Sequence, residues 1–160
     1  MRSTKFTQLL WPDSRVAVAL SPRLRAIVDA LPLAPGMRVI EIGCGPGAAA
    51  RAVVARIGNG HVLAIDRSAR AIAQAENGSV PEIAAGRLSF RAVAVEDFQL
   101  LPGEPHYDLA FAVRVGALDG RHPAAYEPAL ARVRAALRPG GRLFIDGGHP
   151  LREIALKDQA

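Results

Sequence analysis

The sequence predicts an α/β protein with a doubly wound, mostly parallel sheet of about five strands and helices on both faces. Three observations carry that prediction. Short apolar runs with β character alternate with helical stretches, the signature of βαβ units. The first run is followed at once by three glycines at alternate positions, Gly43, Gly45 and Gly47, and then by an Ala-rich helical segment. The second run ends on an acid, Asp66, placed 23 residues after Gly43.

The elements follow in order. Residues 21–31, "SPRLRAIVDAL", predict a helix with Ser21 as cap and Pro22 in its first turn. "RVIEI" (38–42) predicts a buried strand, and "GAAARAVVARI" (47–57) a helix stopped by Gly58-Asn59-Gly60. "HVLAID" (61–66) predicts the second strand, with Ser68 capping a helix over 69–77. "RLSFRAVA" (87–94) and "YDLAFAV" (107–113) predict strands three and four. "PAAYEPALARVRAAL" (123–137) has apolar positions at helical spacing and closes at "RPGG", and "RLFID" (142–146) predicts strand five. Right-handed crossovers then put helices on both faces. At 160 residues the chain reads as a single domain: an N-terminal helical segment (1–37), a core (38–146) and a short tail (147–160).

Composition narrows the function. Twenty Lys and Arg against 15 Asp and Glu give a net charge of +5, but the arginines are spread from Arg2 to Arg152 and form no dense run. A nucleic-acid footprint clusters on one face, so no nucleic-acid partner is expected. The single cysteine, Cys44, can form no intramolecular disulfide, as suits a reducing compartment. No signal-peptide pattern and no membrane-spanning run is visible, so the expected location is cytoplasmic. His61, His106, His122 and His149 are scattered without ligand spacing, so no metal is expected.

The glycine stretch falls in the first βα turn, where doubly wound sheets bind ligands. Glycine there lets backbone lie close against a ligand. The pattern also satisfies a permissive dinucleotide fingerprint. Two neighbours argue otherwise. Glu41 on the strand end would repel a diphosphate yet suits a ligand carrying positive charge, and Pro46 removes an amide from the turn. Asp66 is placed to accept both hydroxyls of a ribose. Arg67 has three readings: stacking on an adenine, binding a ribose 2′-phosphate, or simple exposure.

With "VIEIGCGPGAAARAV" (39–53), "VLAIDRS" (62–68), "RLSFRAVAVEDF" (87–98), "YDLAFAV" (107–113) and "ALRPGGRLFID" (136–146) in this order, the chain resembles a class I S-adenosylmethionine-dependent methyltransferase over residues 38–146. The resemblance implies a Rossmann-like fold, S-adenosyl-L-methionine as cofactor and a small-molecule acceptor. It implies that Glu41 and the turn Gly43-Cys44-Gly45-Pro46-Gly47 hold the methionine part and that Asp66 takes the ribose hydroxyls. Arg67, Val95 and Glu96 would border the adenine, and Val113 and Arg114 would face the methionine or the acceptor.

The chain also departs from the family. Ala94 stands where relatives often carry an adenine-binding Asp, leaving Glu96 or Asp97 to serve. Arg114 has two readings: an exposed loop residue, or a cation entering the site near a cationic cofactor, which would favour an anionic acceptor. "FAVR" replaces the amide-bearing motif of adenine-N6 methylation. The family's fold continues after strand five with a helix and an antiparallel strand pair, and the 14 residues after Asp146 are short for that. The expectation is a truncated fold whose open edge needs cover from a second copy or a partner subunit. For a general base the candidates are His122, Asp119 and His149, with His106 before strand four. Cys44 reads as a packing residue, and Trp11 and Tyr126 as possible pocket walls. Two other functions stand beside the methyltransferase: an NAD(P)-binding oxidoreductase, and a non-catalytic S-adenosylmethionine-binding module.

Overall fold

The computed structural model describes residues 17–156. Its elements are α1 (Pro22–Ala30), β1 (Arg38–Ile42), α2 (Ala48–Val54), β2 (His61–Asp66), α3 (Ala69–Asn77), α4 (Val80–Ala84), β3 (Leu88–Ala92), a 3-10 turn (Val95–Asp97), β4 (Tyr107–Ala112), α5 (Gly116–Asp119), α6 (Pro123–Ala136), β5 (Leu137–Asp146) and β6 (Leu151–Ile154). Strands lie in the order β3-β2-β1-β4-β5-β6. The first five are parallel, and β6 runs antiparallel to β5. The chain leaves β1 toward β2 on one side and returns to β4 on the other. That reversal opens a crevice at the carboxyl ends of β1 and β4, where ligands of such sheets bind.

Local chemistry explains the helix starts. Ser21 Oγ accepts from the Leu24 amide at 3.2 Å, and Ser68 Oγ from the Ala71 amide at 3.2 Å, each satisfying a donor of the first helical turn. The pleat divides the core in two. Ile40, Ile42, Leu63, Ile65, Ala110 and Ala112 face α5 and α6, while Val39, Val62, Ala64, Leu109 and Phe111 face α1, α2 and α3.

Two expectations are corrected. The sheet has six strands, not five. The tail is long enough because Gly147 (φ +98°) and Gly148 turn the chain within four residues, and β6 then pairs Leu151 with Asp146 through Ile154 with Leu143. A Cβ on Gly148 would stand 2.1 Å from the Leu151 carbonyl oxygen, so only glycine admits this approach. The β5 edge is therefore covered by the chain itself, which removes the ground for expecting a partner on that edge. The second correction concerns "RPGG". It lies past the end of α6 rather than closing it: the helix ends at Ala136, β5 already begins at Leu137, and residues 138–141 form an irregularity between the pairs Tyr107–Leu137 and Leu109–Arg142. Elements α4, α5 and the 3-10 turn add to those expected. Among the described residues no helix is long and apolar enough to cross a membrane.

Candidate functional site

A cavity of about 530 Å³ opens at the carboxyl ends of the central strands, on the α5–α6 face of the sheet. Its size falls within the roughly 300–1,000 Å³ usual for small-ligand sites. Gly43 and Ile42 wall it from β1, Ile65, Asp66 and Arg67 from β2, and Val93 to Glu96 from the segment after β3. Arg114 to Ala117, with Arg121, His122 and Ala125, close the far side.

The glycine turn is built by its own hydrogen bonds. The amides of Gly43 and Cys44 both donate to the Ile65 carbonyl, at 2.8 and 3.0 Å, and the Gly47 amide donates to the Cys44 carbonyl at 3.0 Å. The Gly45 amide donates to Asp66 Oδ2 at 2.9 Å, and the other oxygen, Oδ1, accepts from the Ser68 amide at 2.8 Å. With Pro46 carrying no N–H, every amide from 43 to 47 is committed inside the protein. Gly43 has φ +71°, and a Cβ there would meet Val115 Cγ2 at 2.6 Å, so the β1 and β4 rims close on one another only through a glycine.

Arg51 was not anticipated from the sequence, where it reads as an ordinary helical residue. Its Nη1 donates to the Pro46 carbonyl at 3.1 Å and to Ser79 Oγ at 3.0 Å, and its Nη2 to the Val18 carbonyl at 2.8 Å. It thereby ties the turn to the α3–α4 junction and to the segment ahead of α1. Only the tertiary fold brings these acceptors together.

Of the residues expected to bind a ligand, Gly43, Asp66, Arg67, Val95, Glu96 and Arg114 line the cavity, and Ala94 stands beside Glu96 in its wall. Asp97 is exposed and is not in the lining, which leaves Glu96 as the acid there. Cys44, Gly45, Gly47, Val113 and Glu41 do not line it. Cys44 is buried, packs with the α1–α2 face and has its thiol pushed well above its ordinary range by burial, as a packing residue would. Val113 packs against the same cluster, because strand alternation turns it away from the cavity.

Glu41 differs most from expectation. It precedes Ile42 by one residue, so its side chain goes to the opposite face, beneath α2, where it is 4 % exposed. Burial raises its pKa from 4.5 to about 8, partly offset by the backbone amide of Ala50 and by Arg51. Ala50 is the third residue of α2, whose cap, Gly47, has no side chain to satisfy the helix's first amides. Glu41 Oε2 has no partner among the described residues.

Among the general-base candidates only His122 reaches the cavity. Its amide donates to the Gly116 carbonyl at 3.0 Å, and its ring lies where a Gly116 Cβ would come within 2.3 Å of Cδ2. Asp119 is engaged by Arg121, whose Nε donates to both carboxylate oxygens at 3.0 and 2.9 Å, and this bonding holds its carboxyl below the usual range. His149 is exposed in the β5–β6 turn and does not line the cavity. His106 lies ahead of β4, at the opposite end of the strand. Tyr126 packs against the α5–α6 core rather than in the cavity, and Trp11 falls outside the described residues.

Comparison with known proteins bears on the family and the fold. A family model described as a methyltransferase domain matches residues 39–141. A trans-aconitate 2-methyltransferase of Methylobacterium nodulans is 33% identical over 146 residues, which is 89% of this chain and 52% of that protein. An O-methyltransferase of Aspergillus nomiae is 27% identical over 148 residues, 89% of this chain and 62% of that protein. The chain thus spans about half the length of the curated relatives it matches. Among solved structures, a SAM-dependent methyltransferase from Geobacter sulfurreducens in complex with S-adenosyl-L-homocysteine superposes with a TM-score of 0.61 at 24% identity, covering 79% of this chain and 48% of that one. That likeness bears on the fold. The family match over residues 39–141 takes in the glycine turn, Asp66, Glu96 and Arg114 together, and the chain belongs to the methyltransferase-domain family.

Proposed function

We propose that this chain binds S-adenosylmethionine in the cavity at the carboxyl ends of β1, β2 and β4 and presents its methyl group to a small-molecule acceptor. One observation carries the reading: no amide from Gly43 to Gly47 is free for a phosphate, while two carboxylates, Asp66 and Glu96, stand in the cavity wall. A dinucleotide needs unpaired donors for its diphosphate. A phosphate-free nucleoside with a cationic sulfur needs acceptors instead. This chemistry disfavours the oxidoreductase alternative.

Asp66 would receive the ribose hydroxyls, since each of its oxygens keeps acceptor capacity beyond its one backbone bond. Glu96 would accept from the adenine amino group in place of the absent acid at Ala94. Ile65, Val93 and Val95 supply an apolar slot for the ring, and the Gly43 backbone would face the methionine part. Arg51 would act as a positioning residue, holding the turn from behind through the Pro46 carbonyl. When bound, S-adenosylmethionine supplies an electrophilic methyl on a sulfur that leaves readily. The chain has then to orient the acceptor and keep water out, which alone lowers a barrier by several kcal/mol. His122, which lines the cavity, would take a proton where the acceptor still holds one.

The relatives' names support a small-molecule acceptor, trans-aconitate among them. The lone buried thiol of Cys44 supports a reducing, cytoplasmic setting. Calorimetric titration with S-adenosylhomocysteine and, separately, NADPH tests the cofactor. Saturable binding of the former and none of the latter is expected. No binding of S-adenosylhomocysteine up to millimolar concentration, or preferential binding of NADPH, contradicts the assignment.

A further inference from the structure

Arg114 is the single non-glycine residue among those described with a left-handed backbone, φ +56°. Such a conformation is costly for a side chain with a Cβ, and it persists only where the surroundings enforce it. Here they do so twice. The Arg114 amide donates to Asp146 Oδ1 at 3.0 Å, and its carbonyl accepts from Arg121 Nη2 at 2.7 Å. Both holders are themselves fixed: Asp146 pairs with Arg23 of α1 at 2.7 Å, and Arg121 pairs with Asp119. Elements α1, β5 and α5 therefore converge to hold the backbone of one arginine in a conformation that glycine adopts freely.

The charges around the cavity separate Arg114 from its neighbours. Asp66 and Glu96 lie on the β2 and 3-10 side, with Arg67 at the end of β2. On the β4–α6 side, the charge of Arg121 is met by Asp119, while the exposed guanidinium of Arg114 has no hydrogen-bond or ion-pair partner among the described residues.

We propose that Arg114 is the residue that recognises the acceptor, and that the acceptor is an anion carrying a carboxylate. The proposal rests on the cofactor reading above. A guanidinium across the cavity from a sulfonium is repelled unless an anion stands between them. A carboxylate also matches the guanidinium fork in two parallel hydrogen bonds. Arg67 is likewise unpaired among the described residues but stands at the end of β2, so Arg114 is the unpaired cation of the β4–α6 side, held there by its strained backbone.

The test loads the protein with S-adenosylhomocysteine and titrates citrate, succinate and benzoate, each against its neutral methyl ester. At least one acid is expected to bind, more weakly at high salt, and its ester to bind no better than background. Arg114→Gln is expected to lose roughly tenfold or more in affinity for that acid, the usual scale for a hydrogen bond to a charged group. Arg114→Lys is expected to recover part of it. Arg114→Gly keeps both backbone bonds and should melt close to the wild type while binding the acid as poorly as the glutamine variant, which separates recognition from folding. All three variants should still bind S-adenosylhomocysteine. Equal binding of acids and esters, no binding of any acid by the loaded wild type, or undiminished acid binding by Arg114→Gln overturns the proposal while leaving the cofactor assignment standing. Failure of S-adenosylhomocysteine itself to bind removes both.

Discussion

Glu41 stands one residue before Ile42, and the pleat sends the two side chains to opposite faces of the sheet. The acid is buried under α2 with its pKa raised to about 8, so at neutral pH it is mostly protonated. Folding therefore takes up a proton between the unfolded pKa of 4.5 and about 8. The associated stability is fully present below pH 4.5 and is lost as pH rises through 8. At about 1.4 kcal/mol per pKa unit this amounts to on the order of 4–5 kcal/mol. Glu41→Gln, which mimics the neutral acid, should flatten the pH dependence of urea unfolding over that interval. An unchanged slope would mean that the carboxylate is ionised in the folded protein. Gly43→Ala makes a second prediction at this scale. A methyl group 2.6 Å from Val115 Cγ2, on a backbone at φ +71°, should cost about 1–3 kcal/mol in denaturant unfolding and weaken S-adenosylhomocysteine binding. Equal stability and affinity would show that the rim is loose.

The hairpin of β5 and β6 is the element that the sequence concealed. Its four residues of strand follow a Gly-Gly turn in a segment too short to suggest a return strand, and its alternation spans only Leu151 to Ile154. Gly148→Ala should destabilise the protein by about 1–3 kcal/mol, since overpacking against backbone has no flexible side chain to relieve it. Hydrogen exchange should then show the amides of residues 143–146 losing protection ahead of β1 and β4. Uniform protection would contradict the role given to the turn. The parallel strands were legible because their apolar runs are continuous and bounded by turn residues. The helices over residues 22–30 and 69–77 were legible because serine caps announce their starts. The short helices α4 and α5 carry too few residues for a period to show, and α5 exists because the β4 rim must turn back toward α6.

At the scale of the molecule, the strand order creates the crevice and the sequence motifs mark its walls. Gly43, Asp66 and Glu96 could be placed there from spacing and family resemblance, because each follows directly from the end of a strand or the turn beyond it. Strand parity was the harder quantity: Glu41 on β1 and Val113 just past the end of β4 both face away from the cavity. Arg51 and the Asp146–Arg114–Arg121 arrangement join residues distant in sequence, so no local pattern reveals them. Ligand linkage gives a global prediction. S-adenosylhomocysteine at one hundred times its dissociation constant should stabilise the fold by about 2.7 kcal/mol, which for a chain of this size raises Tm by roughly 5–10 °C. NADPH should leave Tm unchanged, and a larger shift with NADPH would reverse the assignment. The most direct measurement is a crystal structure of the complex with S-adenosylhomocysteine. Ribose hydroxyls are expected on Asp66, adenine between Val95 and the end of β2 with its amino group on Glu96, and the homocysteine part over Gly43. An adenosyl group bound elsewhere, or a diphosphate resting on residues 43–47 in a dinucleotide complex, would contradict this placement.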